Sequence, residues 1–387
     1  MGEGVCACGR VHESKVQSVR ICEASCEEGL LSFLKGFQLE GDVLCVADEY
    51  TWEVQGKELY RVLRGRVGRS VRSFVFPGRK RLHPDEHAVG SLTISAHSGV
   101  GMIVAVGSGT LNDICRFVSF VLGIPYVVVA TAPSMDGYAS SVSPLLVDGK
   151  KQTFPAHVPL GVFASRRVLQ DAPSELIRAG VGDMIGKKTA LTDWRLSHGR
   201  RGEYYCPEVA SLMEQAVDAA LDSLRSGDGT TAVDVTALME GLVLSGLAME
   251  YVGSSRPASG SEHHLVHYWE YRLLDAGVEP PFFHGSAVGV ATLCIAHCYA
   301  FMNARLPDLV SDLGLVPPSP SEVHTLLVSS GLKIRPGRLG IDGNLLHDSI
   351  RHASELRPHR YTILQMAREM DLIDDMADYV VSHLGEK

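Results

Sequence analysis

Basic charge is in short supply in this chain: 36 Lys and Arg stand against 45 Asp and Glu, a formal net charge of -9 at pH 7. A general nucleic-acid binder needs a basic face, so that class is excluded, whereas a small phosphorylated ligand needs only a few local cations. Uninterrupted apolar runs are also missing. Gly, Pro or a charge breaks each one, and no segment reads as a membrane span. The opening residues Met1–Cys6 have no basic start leading into an apolar stretch, so no secretory signal is expected. Nine cysteines is an odd and scattered set, not a disulfide framework. Cys45, Cys115, Cys294 and Cys298 fall in apolar patterns, where a reduced thiol behaves as a small hydrophobe, and the compartment reads as cytoplasm. Cys6, Cys8 and His12 form the one local cluster, but a C-x-C with one His lacks the second pair of a closed zinc site.

What is present suits a globular enzyme. Hydrophobic residues make up 45% and charged residues 21%, near globular averages, and 387 residues are too many for one small core. Asp42–Ala47, Val71–Phe76, Met102–Val106 and Tyr126–Ala130 are short, Val-rich runs of the kind buried on both faces of a parallel sheet. Leu111–Leu122 carries helical spacing between the last two, which makes a βαβ unit, and Asp148-Gly149 predicts a hairpin turn within Leu145–Phe154. After Pro173 helical patterns dominate: Glu175–His198, Pro207–Leu224, Val233–Tyr251, Glu262–Ala276, Gly285–Ala304 and Tyr361–Leu384. The expected fold is an α/β nucleotide-binding domain with a parallel sheet, residues 1–165, followed by an all-α metal- and substrate-binding domain, residues 166–387. The active site is expected in the cleft between them.

Gly107-Ser108-Gly109-Thr110 follows a buried strand and opens a helix. Glycine lets the backbone approach a phosphate there, and the unpaired N–H groups of the helix start attract the anion. Asn112 stands where a third glycine would complete G-x-G-x-x-G, so the ordinary dinucleotide fingerprint is not met. A second polar segment, Thr131 to Ser141, follows the next strand, and Asp48-Glu49, just after an earlier one, reads equally as an acceptor for a ribose or as a solvated strand end. The stretch Gly180–Thr189 resembles a P-loop only at a glance, because Lys188 occupies its Ser/Thr position.

In the helical half, Asp183 lies within an apolar helical stretch and needs a partner. Glu262-His263-His264-Leu265-Val266-His267 puts His263 and His267 four apart on one face, and His284 heads an apolar helix. Asp plus His ligands with open positions is the pattern of a catalytic divalent metal, although each histidine alone is more often a satisfied polar residue than a ligand. Seven others, His83, His87, His97, His157, His198, His297 and His324, are left as ordinary polar residues.

Taken together, Gly107–Asp113, Ala130–Ser140, Gly182–Lys187 with Asp193–Leu196, and Ser259–His263 with His267 resemble the glycerol-1-phosphate dehydrogenases, particularly the bacterial type. These belong to the iron-containing alcohol dehydrogenase and dehydroquinate synthase superfamily. The resemblance runs from about Asp42 to the C-terminus and leaves the Cys6–His12 motif outside. It implies a metal (zinc, nickel or iron) held by Asp183, His263 and His284. It also implies NAD(H) or NADP(H) near Asp48, Gly107, Ser108, Gly109, Thr110, Leu111, Thr131, Ala132, Pro133, Ser134 and Ser140. Asp136, Asp183 and His267 would face the substrate, with Asp183 and His267 catalytic. The implied reaction is reduction of dihydroxyacetone phosphate to sn-glycerol 1-phosphate, a step of phospholipid metabolism, with the metal as Lewis acid on the C2 carbonyl during hydride transfer. Lys187, Lys188 and Arg256 are candidates for the substrate phosphate. Rival readings are a polyol or phosphorylated-sugar dehydrogenase on the same scaffold, a carbocycle-forming lyase like dehydroquinate synthase, or a nucleotide sensor without catalysis. A homo-oligomer stays open.

Overall fold

The computed structural model describes residues 4–385 apart from 39, 79–81, 97 and 226–232; His97 therefore lies outside the described residues. Two compact units make up the chain, one of Ser14–Ile177 and one of Met1–Glu13 with Arg178–Lys387. The sequence reading put the division at 165/166, with the N-terminus in the first half. The first residues group with the helical unit because their side chains bond to Tyr204, Cys206, Tyr251 and Val252.

In the first unit, six strands form one parallel sheet: β1 (Ser18–Cys22), β2 (Asp42–Asp48), β3 (Val71–Phe76), β4 (Val100–Gly107), β5 (Tyr126–Ala130) and, at the far end of the sequence, β8 (Gly161–Ser165), in the order β1-β8-β5-β4-β2-β3. Between the last two, β6 (Val142–Val147) and β7 (Lys150–Pro155) pair as the expected hairpin, with Asp148 and Gly149 both at positive φ, 50° and 72°. Alternation within the central strands shows why they are so uniformly apolar. Val43, Cys45, Ala47, Met102, Val104 and Val106 face one core with Leu30, Leu34, Leu59 and Leu63, while Leu44, Val46, Ile103 and Ala105 are equally buried on the other face. Strands β1 and β8 were not expected from sequence. Ser18–Cys22 carries Arg20 and lies at the sheet edge, and Gly161–Ser165 has only three apolar residues, so neither shows a Val-rich run.

The chain runs from β2 outward to β3, then returns to β4 beside β2 and continues the opposite way to β5 and β8. The β2/β4 boundary is thus the switch point of an open parallel sheet, where a crevice forms at the strand ends.

The second unit is helical: α2 (Ser174–Arg201, which begins in the first unit), α3 (Pro207–Arg225), α4 (Val235–Val252), α5 (Ser261–Asp275), α6 (His284–Arg305), α7 (Ile363–Glu369) and α8 (Ile373–Leu384) among others, with α1 (Gly109–Leu122) reserved for the nucleotide-loop helix of the sheet unit. The expected single helix over Tyr361–Leu384 is two. Asp371 takes φ 54°, its N–H bonds Arg368 O and the next N–H bonds Ala367 O, a left-handed helix stop with Asp where glycine usually sits. Helices α4 and α6 are long and apolar enough to cross a bilayer by length and composition, but 83% of the α6 window is buried in the fold, which makes it a core helix.

Candidate active site

Helix–helix contact without side chains sets up the candidate metal site. A Cβ added at Gly182 of α2 would sit 3.0 Å from the carbonyl carbon of Gly285 in α6, and closer still to its oxygen. One added at Gly285 would meet the Ala179 carbonyl carbon at 2.8 Å and Asp183 Cβ at 3.1 Å. The two backbones therefore touch, which brings Asp183, one residue after Gly182, beside His284, one residue before Gly285. Asp183 is fully buried, and His263 Nε2 of α5 lies 3.9 Å from its Oδ1. The rings of His263, His267 and His284 gather with centroid separations of 6.1, 5.3 and 5.8 Å.

Carboxylates behind two of these imidazoles fix which nitrogen faces the site. Glu262 Oε1 accepts from His263 Nδ1 at 2.8 Å, and Glu270 Oε1 accepts from His284 Nδ1 at 3.2 Å. Each leaves Nε2 as the lone-pair nitrogen, the arrangement found behind metal-bound histidines. Burial lowers the pKa of His263 and keeps the ring neutral, against the opposing pull of Glu262. Burial alone would raise Asp183; the Lys187 ammonium bonded to it outweighs this and holds the carboxyl below its usual value. A neutral imidazole and an ionised carboxylate are the forms a divalent ion requires.

Ligand-type atoms of His267, Glu270 and His284 also lie within 4.8 Å of one another. Part of that closeness is the Glu270–His284 hydrogen bond itself, so Glu270 is better placed to orient His284 than to ligate. Asp183, His263 and His284 carry the donor types that a divalent ion takes, with Lys187 Nζ, 2.7 Å from Asp183 Oδ1, as a neighbour the ion would share.

Asp193, deep in α2, ties this region together. It accepts from Ser261 N at 2.7 Å and Ser261 Oγ at 2.5 Å, from Tyr299 Oη at 2.7 Å and from Ile363 N at 2.9 Å, joining α2, α5, α6 and α7. Burial, then the nearby Glu262 carboxylate, push Asp193 up to about 6. Gly260 separates these carboxylates: an added Cβ would meet Asp193 Oδ2 at 2.7 Å and Glu262 Oε2 at 2.9 Å. Neither the hub nor the backing role of Glu262 and Glu270 was read from the sequence. The acidic residue directly before His263 was the available signal.

The expected phosphate cations are otherwise engaged. Lys187 bonds Asp183 and Ala258 O, Lys188 pairs with Glu322 at 2.9 Å, and Arg256 pairs with Glu203 and donates to Tyr361 O and Ser197. Two arginines not singled out from the sequence lie near the site instead. Burial, then Arg357 and Arg256, lower Arg360 to about 9. Arg357, lowered by burial and near Glu270, makes no side-chain hydrogen bond to a described residue.

In the sheet unit, Asp48, Gly107 and Ala130 end β2, β4 and β5, three adjacent strands. Ser108 is the N-cap of α1 but its side chain makes no capping bond, so the helix start presents its N–H groups uncapped by that side chain. A Cβ at Gly107 would be 2.9 Å from Leu111 Cβ and nearer to its Cδ1, which is why glycine is needed there. Asn112, in the place of the missing third glycine, donates to Gly137 O at 3.0 Å, and buried Arg116 donates to the same carbonyl. Both pin the Thr131–Ser141 loop to α1. Within that loop Thr131 N bonds Gly107 O at 3.2 Å, Tyr138 donates to Ala132 O, Pro133 and Ser134 are buried, and Ser140 Oγ accepts from Val142 N at 3.1 Å. Asp136 precedes the turn Gly137–Ala139. Asp48 Oδ1 caps Thr51 N at 2.8 Å.

Residues 26–173 match the family model for iron-containing alcohol dehydrogenases. The chain is 33% identical to the NAD(P)+ glycerol-1-phosphate dehydrogenase of Geobacillus stearothermophilus, over 95% of this chain and 96% of that one. It is 31% identical to the enzyme of that name from Pyrococcus furiosus, over 85% and 87%. Among solved structures, glycerol dehydrogenase from Schizosaccharomyces pombe shares the fold with a TM-score of 0.69 at 17% identity, covering 96% of this chain and 92% of that one. Sulfoacetaldehyde reductase from Bifidobacterium kashiwanohense, solved with NAD+, does so with 0.66 at 16%, covering 97% and 100%. The chain thus belongs to the NAD(P)+-linked glycerol-1-phosphate dehydrogenase family of the iron-containing alcohol dehydrogenases.

Proposed function

We propose that the chain reduces dihydroxyacetone phosphate to sn-glycerol 1-phosphate with NADH or NADPH, using a divalent metal held by Asp183, His263 and His284. The observation that carries this reading is the pair of backing carboxylates, Glu262 on His263 and Glu270 on His284, which turn both Nε2 atoms toward a buried aspartate. When bound, the ion supplies Lewis-acid polarisation of the ketone carbonyl.

The chain's own residues do the rest. Gly107–Leu111 and Thr131–Ser134, with Ser140, receive the dinucleotide at the switch point, its pyrophosphate against the start of α1 and its adenosine ribose near Asp48. Asp136 orients substrate hydroxyls, and His267 delivers the proton to the oxygen of the reduced carbon. The Arg357 guanidinium, which makes no side-chain hydrogen bond to a described residue, favours a phosphorylated substrate over a neutral polyol, because a desolvated cation is stabilised by an anion. A cytoplasmic setting agrees with nine free cysteines. Metal analysis of Asp183→Ala, His263→Ala and His267→Ala tests the assignment. The first two should lose the catalytic ion, and the third should keep it while turnover falls by about 10²-fold. Full occupancy in Asp183→Ala would remove it from the ligand set.

A further inference from the structure

The N-terminal motif Cys6-Ala7-Cys8-Gly9-Arg10-Val11-His12 lacked a fourth metal ligand in the sequence, and the fold supplies one 194 residues later. Cys206 Sγ lies 3.7 Å from Cys6 Sγ and 3.3 Å from His12 Nε2, and Cys8 Sγ lies 3.2 Å from the same nitrogen. Ligand atoms of Cys6, Cys8, His12 and Cys206 all fall within 4.8 Å of one another. A tetrahedral zinc ion with ordinary Zn–S and Zn–N bonds spaces its ligands about 3.8 Å apart sulfur to sulfur and about 3.5 Å sulfur to nitrogen. The observed separations match that cage.

Everything around the cluster is built to hold it. Val5 and Val11 bridge antiparallel, Cys6 N donates to Arg10 O at 2.9 Å, Gly9 N donates to Cys6 O at 2.8 Å, and Gly9 takes φ 84°, so the two cysteines and the histidine sit on one tight hairpin. Cys206 immediately precedes α3. His12 Nδ1 is 3.0 Å from Tyr251 O. A carbonyl only accepts, so Nδ1 carries the hydrogen and Nε2 is left with its lone pair toward the sulfurs. Tyr204 Oη, 3.1 Å from Cys8 Sγ, is placed to donate to a thiolate. Three thiolates and one imidazole around Zn²⁺ carry a net single negative charge. Arg10, stacked 3.4 Å over the Tyr204 ring and donating to Val252 O, places a positive charge beside it.

We propose that Cys6, Cys8, His12 and Cys206 bind a structural zinc ion, separate from the catalytic metal, with three thiol protons released on binding. The four protein ligands close the coordination sphere, so the ion has no open position for substrate. Its role is to staple the hairpin to the turn between α2 and α3 and to the end of α4. The turn it grips includes Glu203, which pairs with Arg256, and Tyr204, whose carbonyl accepts from Trp194 Nε1 at 2.8 Å.

The test uses the full chain purified under reducing conditions without a histidine tag. Elemental analysis of Asp183→Ala should still find about one zinc per chain, and adding Cys8→Ser should remove it. Cobalt substituted into the wild-type chain should give a thiolate-to-cobalt charge-transfer band and tetrahedral d–d absorption, both lost in Cys8→Ser. If Cys206→Ser fails to fold, His12→Ala carries the same comparison, with the cobalt spectrum shifted or lost. Absence of the charge-transfer band in folded wild-type protein would overturn the proposal, as would recovery of Cys6 and Cys206 as a disulfide from freshly reduced, zinc-supplied protein. Loss of NADH oxidation with this zinc retained would count against the proposed reaction alone.

Discussion

Gly182→Ala puts the greatest strain on the account of how the metal ligands come together. The added methyl would lie 3.0 Å from the Gly285 carbonyl carbon, where ordinary carbon contacts are about 3.5–4.0 Å. Its other near neighbour is Leu332 Cδ1 at 3.2 Å, a side-chain end that can move, whereas the carbonyl cannot. Helices α2 and α6 must therefore separate by about 1 Å, an overpacking cost of about 1–3 kcal/mol. In a unit of this size that lowers Tm by about 3–10 °C. The functional effect is larger than the stability effect, because Asp183 and His284 flank the contact and move apart with the helices. Metal sites tolerate about 0.2 Å in ligand distance, and a 1 Å misplacement costs about 10²-fold in rate. Thermal melts, metal content and kcat/KM would be measured on Gly182→Ala beside Gly90→Ala, a helical glycine with nothing within 4 Å of an added Cβ. The expectation is lost metal and activity in the first and neither in the second. A Gly182→Ala protein with full metal and activity within twofold of wild type would refute the claim that the glycine contact positions the site.

Arg357→Gln should raise KM for the phosphorylated ketone by about 10-fold or more, as a lost charge-assisted bond would, with kcat much less affected; an unchanged KM would free Arg357 from the phosphate. His297 is lowered to about 4 by burial, then by His383, below the ordinary 6.5. The folded state thus refuses a proton that the unfolded state accepts, so this stabilisation is complete above pH 6.5 and is lost as pH falls toward about 4. Replacing it in His297→Leu should flatten the acid limb of an unfolding free energy-against-pH curve by about 1–2 kcal/mol after allowing for its solvent contact, and identical limbs would contradict this.

Sequence patterns revealed the parts of the fold that carry strong periodicity. The central strands, the Asp148-Gly149 hairpin and the long helices α2 to α6 all have it. The edge strand β1, the short β8 and the Asp371 helix stop do not, since pairing and a left-handed residue without glycine leave no local mark. Asp183, His263, His267 and His284 stood out as titratable residues in apolar helical patterns, and the structure brings them together. Glu270, Arg357 and Arg360 are not marked by the sequence, and Asp193 enters only inside a family motif, because their roles depend on residues distant in sequence. Cys206 is the sharpest case: alone before a helix it means nothing, and only the fold joins it to Cys6, Cys8 and His12.

The most direct test of the proposed reaction follows NADH or NADPH oxidation by metal-stripped protein, with zinc, nickel or ferrous iron restored separately and dihydroxyacetone phosphate compared with dihydroxyacetone. Turnover should be absent without metal, recover with a divalent ion, and strongly prefer the phosphorylated ketone. Equal turnover with and without metal would contradict this.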